Sequence, residues 1–527
     1  MPIITVRRYL HDLEIDCPAG DTILSALEGT DCLPRADCGG RGVCGLCRIR
    51  AETAAALPPT PRDLAKLPPP AIARGIRLAC QARPSRGVAI SVEAPRARSA
   101  WTAIDDLPPP LRPDGDPGAG LGIAIDLGST NIRLSLLDLA SGRRLAALRG
   151  HNPQCRYGSD ILTRVSRAHR EGAAGEQMTA QTRRALGEGI AALFDRAAGG
   201  SAGRQEVRRL RLVGNTAVLT LLAGAGSEAL LDPANWGRQV PCRLGDVRPW
   251  RRAWRLDDGA DIALCESLGG FVGSDLTAGV IAAGLTRSSP PAMLIDFGTN
   301  TEIALWDGAT LWVAAAAGGP AFEGSGISCG APAEAGAVHR MIWPDDGGAP
   351  ELSVIGGGAP LGLCGSGLID AVAGLRRAGV VAASGRMTAE VPREGWTLAE
   401  GRQPLRLTRQ DIDALQRAKA AVAAAAVLLT RRAGLPAGTL ASLVVSGIFG
   451  RHLDLGHAQA IGLLPSAPAC RLLRVEDSAL RGCERLLAPD GAGLEAGIAA
   501  MVRTLNLAEE PEYEDIFVDH LRLTAFS

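Results

Sequence analysis

The segment "DCGGRGVCGLCRIRA", residues 37–51, restricts this chain more than any other, because three cysteines fall within ten positions. Cys38, Cys44 and Cys47 are spaced C-x5-C-x2-C, and Cys80 follows 33 positions after the last of them. Four cysteines can hold structural zinc, a 4Fe–4S cluster or a 2Fe–2S cluster. Structural zinc commonly takes two short C-x2-C pairs, and bacterial 4Fe–4S sites favour C-x2-C-x2-C-x3-C. A tight loop of three with one distant partner suits a 2Fe–2S core, whose thiolates cap two irons from opposite sides. The glycines between the cysteines fit the same reading, since backbone N–H groups must turn toward sulfur where a side chain would clash. Reduced surface thiols or a zinc knuckle are the plainer alternatives. Cys32, close by, reads as a packing thiol. The chain has thirteen cysteines, an odd number and mostly scattered singly, which points to reduced thiols with some serving a metal.

The flanking residues favour a carrier of electrons. "ITVRRYL" and "HDLEIDC" read as a hairpin, and "DTILSALEG" as a short helix started by Asp21. Two strands and a helix before a glycine-rich cysteine loop resemble the β-grasp ferredoxins, with spacing closer to the adrenodoxin-like branch than to the plant type. The expected first domain is 1–94, a 2Fe–2S ferredoxin-type unit. Residues 95–120, "PRARSAWTAIDDLPPPLRPDGDPGAG", follow as a Pro/Gly-rich linker. It is read either as a tether or as a strap packed along the surface.

Beyond the linker one pattern occurs twice. "GIAIDLGSTNIRLSLLDLASGRRL" reads as an apolar strand ending at Asp126, a turn, a second strand, and a hairpin at Ser141-Gly142. Later, "AMLIDFGTNTEIALWDGATLWVA" repeats it around Asp296, with a hairpin at Asp307-Gly308. Such turns present N–H and hydroxyl donors to phosphate oxygens. An aspartate at each strand end can hold Mg²⁺, usually through water, between the two turns. A third element, "ASLVVSGIFG", runs into Ser446, Gly447 and Gly450, where glycine lets backbone approach a purine and ribose. Two phosphate hairpins and a late glycine turn resemble the actin-like ATPase superfamily, whose two RNase-H-like lobes close over ATP. An α/β enzyme with ordinary glycine turns is the alternative. The expected fold class is therefore α/β multidomain: a β-grasp ferredoxin domain, a linker, then a two-lobed RNase-H-like ATPase of the actin and sugar-kinase type. Its lobes are expected at 121–290 and 291–505, with a tail at 506–527.

Composition removes several classes. Lys+Arg and Asp+Glu are 56 each and aromatic residues 3%, so neither charge nor stacking surface asks for nucleic acid. No run approaches the ~20 apolar residues of a membrane span, and "MPIITVRRYL" lacks the apolar core of a signal peptide. A cytoplasmic location is the expectation.

A ferredoxin fused to an actin-like ATPase resembles the reductive activators of corrinoid proteins, the corrinoid activation protein family. The likeness runs through "NPQCRYGSDILTRV", "LVGNTAVLTLLAG", "GFVGSDLTAG", "IDFGTNTEIAL", "GPAFEGSGISCG", "CGSGLID", "DIDALQRAKAAV" and "VVSGIFG". The resemblance implies that Cys38, Cys44, Cys47 and Cys80 ligate a 2Fe–2S cluster. It implies a first phosphate turn at Asp126, Gly128, Ser129 and Thr130, and a second at Asp296, Gly298, Thr299, Asn300 and Thr301. Ser446, Gly447 and Gly450 would form the adenosine turn, and Mg²⁺ would sit between Asp126 and Asp296, with no covalent catalyst. The implied partner is a corrinoid methyltransferase or corrinoid protein, fed through an upstream electron donor, and the implied assembly is a homodimer. A low Co(II)/Co(I) potential would require ATP to supply the differential that an ordinary cluster cannot. The chain carries no D-x-H-x-x-G cobalamin motif, which fits a corrinoid held by another protein. A small-molecule kinase with a regulatory ferredoxin domain and an activator of a non-corrinoid enzyme are the competing readings.

Overall fold

The computed structural model describes every residue except 1, 8–11, 28–29, 31, 35, 37–39, 41, 43–44, 93–100, 114–117, 159, 198–202, 299, 325, 345–349 and 401–403. Cys38, Cys44 and Thr299 therefore lie outside the described residues. The chain divides into two compact bodies. The first is Met1–Thr102 with Ser129–Ile132 and Arg149–Gly189; the second is Ala103–Gly128, Arg133–Leu148 and Ile190–Ser527.

In the first body a five-stranded sheet is ordered Leu13–Asp16, Ile3–Val6, Val88–Val92, Arg48–Ala51, Ile76–Leu78. Ile3–Val6 lies antiparallel to Leu13–Asp16 and parallel to Val88–Val92. That mixed sheet around one short helix is the β-grasp arrangement expected. Period-two alternation buries Ile4 and Val6 while Ile3 stays exposed. The helix Ile23–Ala26 adds Ile23 and Leu24 to the same core. Thr22, not Asp21, caps it, because the Thr22 hydroxyl accepts from the Ser25 N–H at 3.1 Å. The helix Pro61–Lys66 has a full capping box between Thr60 and Asp63. The second oxygen of Asp63 accepts the Leu78 N–H at 2.8 Å, tying that helix to the edge strand beside Cys80.

Two six-stranded sheets repeat one plan. The first is ordered Asp261–Leu264, Val207–Gly214, Leu121–Leu127, Asn131–Asp138, Arg143–His151, Thr102–Ala103. The other is Arg471–Val475, Ser442–Ser446, Ala292–Phe297, Thr301–Trp306, Leu311–Ala316, Val502–Thr504. In each, the strand ending in the key aspartate is internal, between the next strand of its hairpin and a later parallel strand. Burial on both faces explains why "LGIAIDL" and "SLVVS" read as unbroken apolar runs. Both expected hairpins are present, with Gly142 at φ +66° and Gly308 at φ +106°.

The long helix Arg409–Arg432 starts with the expected Thr408 cap, reciprocated by Asp411. Its alanines, Ala420 to Ala426, are almost entirely buried and allow close packing. The C-terminal helix Tyr513–Asp519 sets Ile516 against Ala424 and Leu428. Arg431 reaches Glu512 at 2.6 Å and Arg432 reaches Glu510, so the acidic C-terminal segment is docked. The described part of the Pro-rich stretch is strapped on as well: Arg144 donates to the Pro108 carbonyl at 2.9 Å, and Leu107 packs on the core. No helix among the described residues is long and apolar enough to cross a membrane.

Candidate functional site

Four carboxylates converge inside the second body. Asp126 and Asp296 each lie one residue from the end of their strands, Leu121–Leu127 and Ala292–Phe297. Asp275 sits in the first turn of the helix Ser274–Ala283, and Glu302 on the strand that follows Asp296. Burial and mutual repulsion make them hard to ionise together. Desolvation first, then the charges of Asp296 and Asp477, push Asp126 up to about 6 against the pull of Arg133. Desolvation, Asp126 and Asp296 push Asp275 to about 7. Asp296 is raised by burial, and Glu302 well above the carboxylate range by burial and by Asp275. A hydrogen bond with Glu302 offsets part of the rise at Asp275. The Arg133 guanidinium answers part of the charge, lying 3.3 Å from both Asp126 Oδ2 and Asp477 Oδ1.

Close backbone approaches hold this constellation. Gly447 has φ +88°, and a Cβ there would stand 2.2 Å from the Phe297 carbonyl oxygen and 2.9 Å from Asp296 Oδ1. A Cβ on Gly273 would stand 2.3 Å from the Gly214 carbonyl oxygen and 2.4 Å from Asp275 Oδ1. Asn215 caps the helix Thr216–Ala223 through its carbonyl oxygen while its Nδ2 donates to Glu302 Oε1 at 3.2 Å. Ser478 Oγ donates to Asp296 Oδ2 at 3.1 Å.

Of the sequence-expected residues, Asp126, Asp296, Ser446 and Gly447 come together here. Gly298 is exposed in its turn, its N–H bonded to the Asn300 carbonyl at 3.0 Å. Thr301 Oγ1 is buried with no hydrogen-bond partner among the described residues, a donor awaiting an acceptor. Gly450 lies in the short helix after Ser446, where a Cβ would meet Val445 at 2.9 Å. Gly128 belongs to the second body, whereas Ser129 and Thr130 belong to the first. There the Ser129 carbonyl accepts from the fully buried Arg164 at 2.6 Å, and the Thr130 carbonyl from the Asn152 N–H at 2.8 Å. The segment "NPQCRYGSDILTRV" thus supplies the residues that hold this turn. Asp275, Glu302, Asn215 and Arg133 were not anticipated. Asp275 had one signal, a lone acid opening an otherwise apolar helix, "SDLTAGVIAA".

Concentrated negative charge, tempered by one guanidinium, suits a divalent cation carrying phosphate, so these residues fit Mg²⁺ with a nucleotide.

In the first body Cys47 and Cys80 are buried in one core. Gln81 Nε2 lies 3.4 Å from Cys80 Sγ and donates to the Gly40 carbonyl at 3.3 Å. The loop glycines Gly40, Gly42 and Gly45 all have positive φ, near +88°, +71° and +73°. A Cβ on Gly42 would stand 2.8 Å from the Gln81 amide. Buried thiols beneath a loop that excludes side chains fit a 2Fe–2S core.

Three family models match the chain in succession. A 2Fe-2S iron-sulfur cluster binding domain matches 8–85, the RACo middle region 121–288, and the C-terminal domain of RACo, the ASKHA domain, 291–526. The chain belongs to the RACo family. This RACo chain accordingly has a 2Fe–2S-type domain and an actin-like ATPase-type domain. It is 28% identical over 425 residues to the corrinoid activation enzyme RamQ of Eubacterium limosum, covering 75% of this chain and 69% of that one. It is 26% identical over 379 residues to a [Co(II) methylated amine-specific corrinoid protein] reductase of Methanosarcina barkeri, covering 65% of this chain and 66% of the relative. The solved structure of a reductive activator for corrinoid, iron-sulfur protein shares the fold, with TM-score 0.65 and 23% identity over 100% of this chain and 99% of that one.

Proposed function

We propose that this RACo-family protein is an ATP-dependent reductive activator. It passes one electron from a 2Fe–2S cluster on Cys38, Cys44, Cys47 and Cys80 to the inactive Co(II) corrinoid of a partner methyltransferase or corrinoid protein, restoring Co(I). The observation that carries this reading is the presence, in one chain, of a glycine-lined cysteine core and a buried carboxylate constellation at two matching strand–turn–strand units. Relatives named as a corrinoid activation enzyme and a corrinoid protein reductase support the client.

The cluster supplies one-electron chemistry, and Mg²⁺ supplies neutralising charge for the phosphates. The other roles belong to side chains and backbone. Gly128, Ser129 and Thr130, and Gly298, Thr299, Asn300 and Thr301, would offer donors to the phosphates. Asp126 and Asp296 would orient the cation from opposite strands. Ser446, Gly447 and Gly450 would admit the adenosine. Asp275, raised to about 7 by burial and by Asp126 and Asp296, would accept a proton from the attacking water. Nucleotide shifts the reduction only by its differential affinity for lobe states that the client also distinguishes. A homodimer, an upstream electron donor and a cytoplasmic location complete the reading.

The test is a reciprocal pair. Cys44→Ser should abolish electron transfer and spare nucleotide binding, and Asp296→Ala should do the reverse. ATP-dependent corrinoid reduction that survives Asp296→Ala would overturn the nucleotide site. Asp275 also favours a second reading, phosphoryl transfer to a small molecule. A phosphorylated product other than inorganic phosphate would establish it.

A further inference from the structure

Charge is segregated within the ferredoxin domain of a chain that is neutral overall. Residues 1–34 hold two Lys/Arg against six Asp/Glu, whereas residues 35–86, which include every cluster cysteine, hold ten against three. Two of these cations, Arg48 and Lys66, lie beside Gly45 of the cysteine loop. Arg48 follows Cys47 directly, is exposed, and donates from Nε to the Gly45 carbonyl at 3.0 Å. The end of the helix Pro61–Lys66 abuts the same glycine, since a Cβ on Gly45 would stand 3.6 Å from the Lys66 carbonyl oxygen and 3.7 Å from Lys66 Cβ. Arg62 lies four residues before Lys66, on the same helix face, and both are exposed. Leu46, inside the loop, is 38% exposed, and Leu64 on the helix is 64% exposed.

Of the three acids in residues 35–86, Asp37 lies outside the described residues and the other two are engaged. Asp63 is fully buried and serves the helix cap and the Leu78 N–H. Glu52 is paired with Arg7 at 2.8 Å. Among the described residues, Arg48, Arg62 and Lys66 have no carboxylate partner. An apolar residue at the cluster loop, rimmed by uncompensated cations, asks for a partner surface with an acidic rim.

We propose that this face docks the protein that reduces the cluster, an acidic one-electron carrier. The inference rests on the cluster reading above and adds the class of partner and its point of entry. The donor is favoured over the corrinoid client because the face lies wholly within the ferredoxin domain. A client whose reduction responds to nucleotide must contact residues that sense nucleotide, and a donor need not. The step balances simply: a flavodoxin hydroquinone anion gives one electron, becoming the neutral semiquinone, and one ferric ion of the cluster becomes ferrous.

The test compares the full-length holoprotein with its Arg62→Glu/Lys66→Glu variant, neither residue being a cluster ligand. Stopped-flow spectroscopy would follow reduction by flavodoxin hydroquinone and by dithionite, and oxidation of the reduced cluster by the cationic protein cytochrome c. Binding of oxidised flavodoxin would be titrated at low and high salt. The proposal expects the variant to be reduced by flavodoxin roughly tenfold more slowly, to lose the salt-sensitive binding, and to be oxidised faster by cytochrome c. Dithionite reduction should be unchanged. Equal flavodoxin rates and binding, with normal dithionite reduction, would overturn the docking face and leave the cluster reading intact. Unchanged flavodoxin kinetics with slower oxidation by a Co(II) corrinoid protein would assign the face to the client and overturn the donor. Failure of dithionite to produce a reduced 2Fe–2S signal in the wild-type protein would overturn the cluster reading and this inference with it.

Discussion

Asp275→Asn should make the nucleotide-free protein more stable at neutral pH while removing ATP turnover. The ordinary carboxyl value is 3.8, and burial with Asp126 and Asp296 moves Asp275 to about 7. A shift of that size corresponds to roughly 4 kcal/mol between the protonated and ionised forms. Asp275 keeps some contact with solvent, so about half of that, ~2 kcal/mol, is the working figure. The folded-state value is raised, so the native state binds the proton that the unfolded chain has released. The contribution is complete below 3.8 and is lost as pH rises through about 7. Asparagine keeps the shape and cannot ionise. Denaturant unfolding of the second body, followed across that range without nucleotide, should show wild-type stability declining more steeply with pH than the variant's. At the upper end the variant should lead by ~2 kcal/mol. Phosphate release should fall by roughly two orders of magnitude if the group takes a proton from water. A variant with the wild-type pH slope, or one less stable at pH 8, would refute the claim that these carboxylates repel one another in a shared site.

Three further outcomes probe other parts of the structure. Cys47→Ser should remove the reduced-cluster EPR signal and leave Mg·ATP-induced thermal stabilisation unchanged. Gly447→Ala places a Cβ 2.2 Å from the Phe297 carbonyl at φ +88°, at a cost of ~1–2 kcal/mol for the left-handed backbone alone; a melting curve should show that loss and a weakened Mg·ATP response. Lys419, buried in the long helix and donating to the Gly462 and Arg522 carbonyls, has its pKa lowered from 10.5 to about 8 by burial. The unfolded chain then holds a proton that the native state has released, so stability should rise by up to roughly 3 kcal/mol between those values. Lys419→Met should flatten that slope in a pH series of unfolding curves.

Local chemistry was legible in the sequence wherever it was written in neighbouring residues. The β-grasp order, the two strand–turn–strand copies with their hairpins, and the Thr408 cap all follow from periodicity, turn residues and spacing. Of the carboxylate constellation, Asp126 and Asp296 follow from the two copies, and the rest follows from none of these. Asp275, Asn215 and Glu302 lie on separate elements, and only the sheet-and-helix packing brings them together. Arg164 is similar: nothing in "ILTRV" indicates that its guanidinium is spent on the carbonyls of Gly158 and Ser129. The cap at Thr22 was displaced to Asp21 because both residue types accept from a helix start and only φ/ψ distinguishes them. The acidic C-terminal segment carried no periodic signal strong enough to identify the apolar contact of Ile516, although its glutamates meet Arg431 and Arg432 at the end of the long helix.

The most direct test of the central claim is anaerobic EPR on the reduced protein mixed with a Co(II) corrinoid protein, recorded before and after Mg·ATP. One spectrum reports both the reduced 2Fe–2S cluster and Co(II). The account predicts that both signals fall together only after ATP is added, and that neither falls with Asp296→Ala. A reduced cluster beside a Co(II) signal indifferent to ATP would contradict it.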